Sequence, residues 1–106
     1  MEIAFATRAL RELCSDVANA NRELGEAAAA VLIRRLADIR AASSIHDVVA
    51  GNPSQLDAPT DWSISLTDGF SLHIRCAERK PPLDAHGKID WAYVSRFKVM
   101  EVPKNG

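Results

Sequence analysis

Residues with the chemistry to act on a substrate gather in one stretch, Trp62 to Cys76, with the sequence WSISLTDGFSLHIRC. His73 and Arg75 are two residues apart there. In a strand, side chains two apart share a face. A histidine can take or give a proton near neutral pH, and a guanidinium matches the oxygens of a phosphate. His73 is therefore the candidate acid or base, and Arg75 the candidate phosphate contact. Arg79 and Lys80 open the next loop, and Arg96 and Lys98 alternate near the end of the chain. A strand there would let the second pair extend a basic face beside Arg75. Arg34, Arg35 and Arg40 decorate a helix that is amphipathic in its own right. His46 and His86 fall in loops with no partner in sequence, and Asp84 and Asp90 read as loop and cap residues.

These residues need a scaffold, and the hydrophobic pattern supplies one. Trp62, Ile64 and Leu66 alternate with Ser63 and Ser65, while Phe70, Leu72, Ile74 and Cys76 alternate with Ser71, His73 and Arg75. This period-2 pattern predicts a β-hairpin with one buried face, leaving His73 and Arg75 on the other. Asp68-Gly69 sits between the arms and suits a turn whose central residues need positive φ.

Before the hairpin, Glu2 to Phe5 reads as a short strand with Ile3 and Phe5 on one face. Thr7 suits a helix N-cap, and Leu10, Leu13, Cys14 and Val17 form a helical stripe after it. Asn19-Ala20-Asn21 marks a break, and a second, alanine-rich helix is expected from Arg22 to Ala42, with Ala28, Val31, Leu32, Leu36 and Ile39 inward. One helical turn is expected within 45–50, capped by Ser43 or Ser44. A short edge strand is expected within 52–60, and a long loop over 77–88. Ile89-Asp90-Trp91 would anchor that loop before a last strand over 94–102 and a loose tail. The expected class is α+β, in the order β-α-α-β-β-β-β.

The chain has 106 residues, 47% of them hydrophobic and 25% charged, enough for one domain spanning 1–106 with one core. A net charge of −1 argues against nucleic-acid binding by overall charge. No apolar run approaches a membrane span, and MEIAFATRALRE lacks the layout of a signal peptide, so a cytoplasmic protein is expected. Cys14 and Cys76 are far apart, each on an apolar stripe, and read as reduced core residues. No clustered His/Cys set points to a metal, and no cofactor is implied.

In this order, the opening FATRALRELC, the helix end LADIRAASS, the hairpin WSISLTDGFSLHI and the closing IDW and VMEV phrases resemble the RelE/ParE superfamily of type II toxin–antitoxin toxins. The likeness is greatest to its HigB-type killer protein branch and covers nearly the whole chain. The resemblance implies two antiparallel helices packed on a twisted antiparallel sheet with an open concave face. It implies a cognate antitoxin carrying a helix-turn-helix DNA-binding module, and ribosome-dependent cleavage of mRNA. Cleavage by 2′-hydroxyl attack needs a base at that hydroxyl, an acid at the 5′-oxygen and positive charge on the phosphate.

The chain departs from the family where active relatives carry their catalytic groups. Asn52 to Asp57 stands where relatives have a His and a Lys, Ser71 follows Phe70 where relatives have an Arg, and MEVPKNG replaces an Asp-Tyr-His-like tail. If this chain cleaves RNA, His73 and Arg75 must stand in, with Arg79, Lys80, Arg96 and Lys98 as RNA or ribosome contacts. The alternative is a non-catalytic or ParE-like homologue that acts by binding a protein, either the antitoxin or gyrase. A third reading is a small α+β interaction module of unrelated role.

Overall fold

The computed structural model describes residues 1–105. Strand β1 (Glu2–Phe5) leads into three helices, α1 (Arg8–Ser15), α2 (Val17–Leu24) and α3 (Glu26–Ala41). A 3-10 turn at Ile45–Asp47 follows, then β2 (Ser54–Gln55), β3 (Asp61–Ser65) and β4 (Ser71–Cys76). A second 3-10 turn at Trp91–Tyr93 precedes β5 (Arg96–Glu101). The class is α+β, as expected.

The helical region divides differently from the expectation of two helices. The Asp16 carboxylate accepts from the backbone N–H of Ala18 and Asn19, starting a new helix at Val17 and stopping the first at Ser15. Val17 thus leaves the α1 stripe and is exposed. The expected break at Asn19-Ala20-Asn21 lies inside α2, and the real one is Gly25, at φ +86° between α2 and α3. Thr7 does cap α1, its hydroxyl accepting from Leu10 N at 3.1 Å.

The five strands form one sheet in the order β1-β5-β4-β3-β2. β1 runs parallel to β5 and the other pairings are antiparallel, so the sheet is mixed rather than wholly antiparallel. The physical reason is the return of the last strand. β4 sits between β3 and β5 and is antiparallel to both, and β5 meets β1 in the same direction at the far side.

The core lies between α3 and the sheet. Leu32, Leu36 and Ile39 of α3 pack with Ile64, Leu72, Ile74, Phe97 and Val99, all buried. Ala28 and Ala29 are also buried, and their small side chains belong to the inner side of α3. Trp91 meets Trp62 edge-on at 5.4 Å and stacks on Phe97 at 5.9 Å, so both tryptophans belong to the packed interior. Cys14 and Cys76 are free thiols packed against the same core.

The tail is held rather than loose as far as Asn105. Asn105 N donates to Gly69 O at 2.7 Å, and the Lys104 ammonium lies 5.2 Å from the centre of the Phe70 ring. Among the described residues, no helix is long and apolar enough to cross a membrane.

Candidate functional site

The hairpin builds the site. Asp68 (φ +58°) and Gly69 (φ +80°) both take the left-handed backbone that the turn demands. Ser65 pairs with Ser71, and Leu66 N donates to Phe70 O, leaving Thr67, Asp68 and Gly69 in the loop. That third loop residue has a consequence. A two-residue loop would set Trp62 opposite Arg75, with the apolar residues of the two arms on opposite faces. The observed register sets Trp62 opposite Ile74 and Ile64 opposite Leu72 on the core side. On the other face it sets Asp61 opposite Arg75 and Ser63 opposite His73.

His73 and Arg75 therefore share the face away from the core, as the alternation predicts. They share it with a carboxylate that sequence reasoning missed. Asp61 is buried at 2% exposure and accepts along both its oxygens. Oδ1 takes Arg75 Nε and the Thr60 hydroxyl, each at 2.7 Å. Oδ2 takes Arg75 Nη2 at 3.0 Å and His73 Nε2 at 2.7 Å. The Arg75 guanidinium holds the Asp61 carboxyl far below the usual carboxylate range, against the opposing pull of burial. The same bond pushes the Arg75 guanidinium above its ordinary value. The signal for Asp61 was present in the sequence, because any register that keeps the apolar residues together puts it on the face of His73 and Arg75.

The second missed residue is Glu101. Arg75 pairs with Lys98 and Ile74 with Val99, but His73 pairs with Glu101 because a bulge at His73/Ile74 inserts Met100 into β5. The bulge re-aims the end of the strand and brings Glu101 Oε1 to 3.3 Å from His73 Nδ1. Both ring nitrogens of His73 thus face carboxylates.

The other predicted contacts are spread out. Lys98 is exposed directly across from Arg75. Arg96 is exposed at the β1 side and already paired, its Nε donating to Glu2 Oε2 at 2.8 Å. Arg79 and Lys80 are exposed in the loop after β4. Arg34 and Arg40 are exposed on α3, while Arg35 is half-buried and pairs with Asp38 at 3.3 Å. Asp84 organises its loop, accepting from the backbone N–H of His86 and Lys88. Asp90 holds the cap position of the turn at Trp91 without a side-chain cap bond.

The arrangement can move a proton at the imidazole and can place guanidinium and ammonium charge beside it. Asp61, His73 and Glu101 do not converge as metal ligands, and among the described residues no group of three or more His, Cys, Asp or Glu does. No family model, curated protein or solved structure matches the chain.

Proposed function

We propose that this chain is the toxin of a type II toxin–antitoxin pair. In this reading it is a RelE-like, ribosome-dependent mRNA endonuclease of the cytoplasm that is silenced by an antitoxin with a helix-turn-helix module. His73 is the proton-transferring group, and Arg75 with Lys98 meets the phosphate; Arg79, Lys80 and Arg96 are outlying RNA or ribosome contacts. The observation that carries the reading is the outward-facing imidazole of His73, braced by buried Asp61 and flanked by Arg75 and Lys98. The phrases FATRALRELC, LADIRAASS and WSISLTDGFSLHI, with their family resemblance, support it. Arg75 spends Nε and Nη2 on Asp61, which leaves Nη1 of a side chain 44% exposed to reach a phosphate.

A second reading has its own observation. Asp61, Glu101 and Glu2 sit against Arg75, His73 and Arg96, so this face holds little uncompensated positive charge beyond Lys98. Such a face suits a non-catalytic or ParE-like homologue that binds protein, the antitoxin or gyrase.

Primer extension on mRNA incubated with the purified protein, with and without ribosomes, separates the two. Cuts within codons that need ribosomes, and that vanish in a folded His73→Ala/Arg75→Ala variant, support the nuclease. No cuts from a folded sample transfer the case to the protein-binding reading.

A further inference from the structure

Asp61 touches the candidate acid–base histidine at one nitrogen and leaves the other on the outer side. Its carboxylate already accepts from Arg75 Nε, Arg75 Nη2 and Thr60 Oγ1. A carboxylate so surrounded stays ionised and can only accept. The 2.7 Å contact from His73 Nε2 to Asp61 Oδ2 then has one sense, with Nε2 carrying the hydrogen and donating it. A neutral imidazole has a single N–H, so its lone pair must lie on Nδ1. Nδ1 is the nitrogen facing Glu101 at 3.3 Å.

A lone pair and a carboxylate oxygen cannot share a hydrogen bond. The contact to Glu101 is therefore a bond only when both ring nitrogens carry hydrogen. Glu101 is 61% exposed at the end of β5, with room to swing into solvent when the ring is neutral. Asp61 is 3% exposed at its side chain and pinned by Arg75 and Thr60, and has no such room. One carboxylate is a fixed brace and the other a movable cover.

We infer that Asp61 is a positioning residue that fixes His73 as the Nε2–H tautomer, so that Nδ1 is the nitrogen that exchanges a proton with RNA and Glu101 is a cover that the RNA displaces. This rests on the nuclease reading above. In the step it describes, the 2′-hydroxyl proton passes to Nδ1 while the 2′-oxygen bonds to phosphorus. The bond from phosphorus to the 5′-oxygen breaks, the leaving 5′-oxygen takes a proton from water, and the hydroxide so formed takes the proton from Nδ1, which restores the neutral ring. The products are a 2′,3′-cyclic phosphate and a 5′-hydroxyl. Arg75 Nη1 and Lys98 are placed to meet the charge that grows on the phosphate.

The tautomer is read without RNA, from the nitrogen-15 shifts of His73 in protein labelled at histidine. At a pH where the ring is neutral, wild type is expected to show a pyrrole-type shift at Nε2 and a pyridine-type shift at Nδ1. In Asp61→Asn the amide can donate as well as accept, and a mixture or inversion of the two is expected. Asp61→Glu, which can still only accept, is expected to restore the wild-type pattern at least in part. A wild-type ring that is an even mixture, or that carries its hydrogen on Nδ1, overturns the assignment whatever the protein does to RNA.

Ribosome-dependent cleavage then tests the rest. Asp61→Asn is expected to lower the rate by tenfold or more at unchanged ribosome affinity, and Glu101→Ala, which leaves nothing to bond Nδ1, to keep the tautomer in place while lowering the RNA concentration needed for half-maximal rate. An unchanged concentration dependence in Glu101→Ala removes the cover. A fixed Nε2–H tautomer in a protein that cuts nothing retires the nuclease reading and Nδ1's part in it, leaving Asp61 as a structural brace.

Discussion

The Asp61 carboxylate and the Arg75 guanidinium meet edge to edge across β3 and β4, Nε to Oδ1 at 2.7 Å and Nη2 to Oδ2 at 3.0 Å. Two parallel bonds of this kind fix direction as well as distance. They orient Arg75, and because the Thr60 hydroxyl takes the second place on Oδ1, Oδ2 is the oxygen left for His73.

Acid should weaken the fold through this pair. The Asp61 carboxyl holds its proton less tightly in the folded state than its ordinary value of 3.8. Its contribution is therefore fully present above that value and is lost as the pH falls toward the lower folded one. Urea unfolding is expected to lose on the order of 2 kcal/mol to this group below about pH 4. Asp61→Asn should be less stable at neutral pH and flatter in acid. Equal acid sensitivity in the variant would show that other carboxyls dominate.

If the chain is the toxin proposed above, removing His73 and Arg75 together should abolish toxicity on expression; the variant should keep its circular dichroism spectrum but unfold at lower urea, because buried Asp61 keeps only the Thr60 hydroxyl. Both side chains face away from the core, so their loss opens no cavity in it. Retained toxicity in the folded double variant would remove His73 and Arg75 from the proposed site.

Gly51 and Gly87 make a matched pair for backbone strain. Both have positive φ, +86° and +76°. A Cβ at Gly51 would land on Ile64 Cγ2 and lie 2.8 Å from Ser65 O, whereas one at Gly87 meets nothing within 4 Å. Gly51→Ala is expected to cost about 2–4 kcal/mol and Gly87→Ala about 1 kcal/mol in unfolding free energy. Similar costs would mean that Gly51 is not packed under β3 as described.

Phe97 is fully buried and stacked on Trp91. Phe97→Ala should cost about 3–5 kcal/mol, since it removes a large side chain from a site closed by Leu72, Ile74 and Val99. A shift in urea midpoint corresponding to less than about 1 kcal/mol would show that the layer collapses around the gap.

Burial pushes the Cys14 thiol up to about 11, the nearby Arg40 charge only partly opposing it, and burial raises Cys76 as well. At about pH 8 Cys14 should be roughly one part in a thousand thiolate, so iodoacetamide should label it slowly in the native protein and quickly in urea, followed by mass spectrometry. Native labelling at the rate of an exposed thiol would contradict its place against the core.

The hairpin was the most legible part of the sequence. Its alternation set the inward and outward faces, and Asp68-Gly69 marked a turn that takes positive φ at both positions. The helices were less legible. Alanine favours helix throughout 17–41, so propensity left the boundaries to single residues, and the decision fell to the Asp16 cap and to Gly25. The site was half legible. His73 and Arg75 could be assigned from parity alone, and Asp61 could have been, because the apolar faces of the arms match in only one parity of register.

By itself, then, the sequence determined the α+β class, the hairpin and the outward face of His73 and Arg75, because those follow from short-range periodicity and turn chemistry. Only the tertiary structure decided that β1 runs beside β5, since pairing between residues over ninety positions apart leaves no local pattern. It alone decided that Glu101 meets His73, because one inserted residue, Met100, shifts the register where β4 and β5 pair. A bulge is a compromise between neighbouring strands, and neither strand's sequence contains it alone.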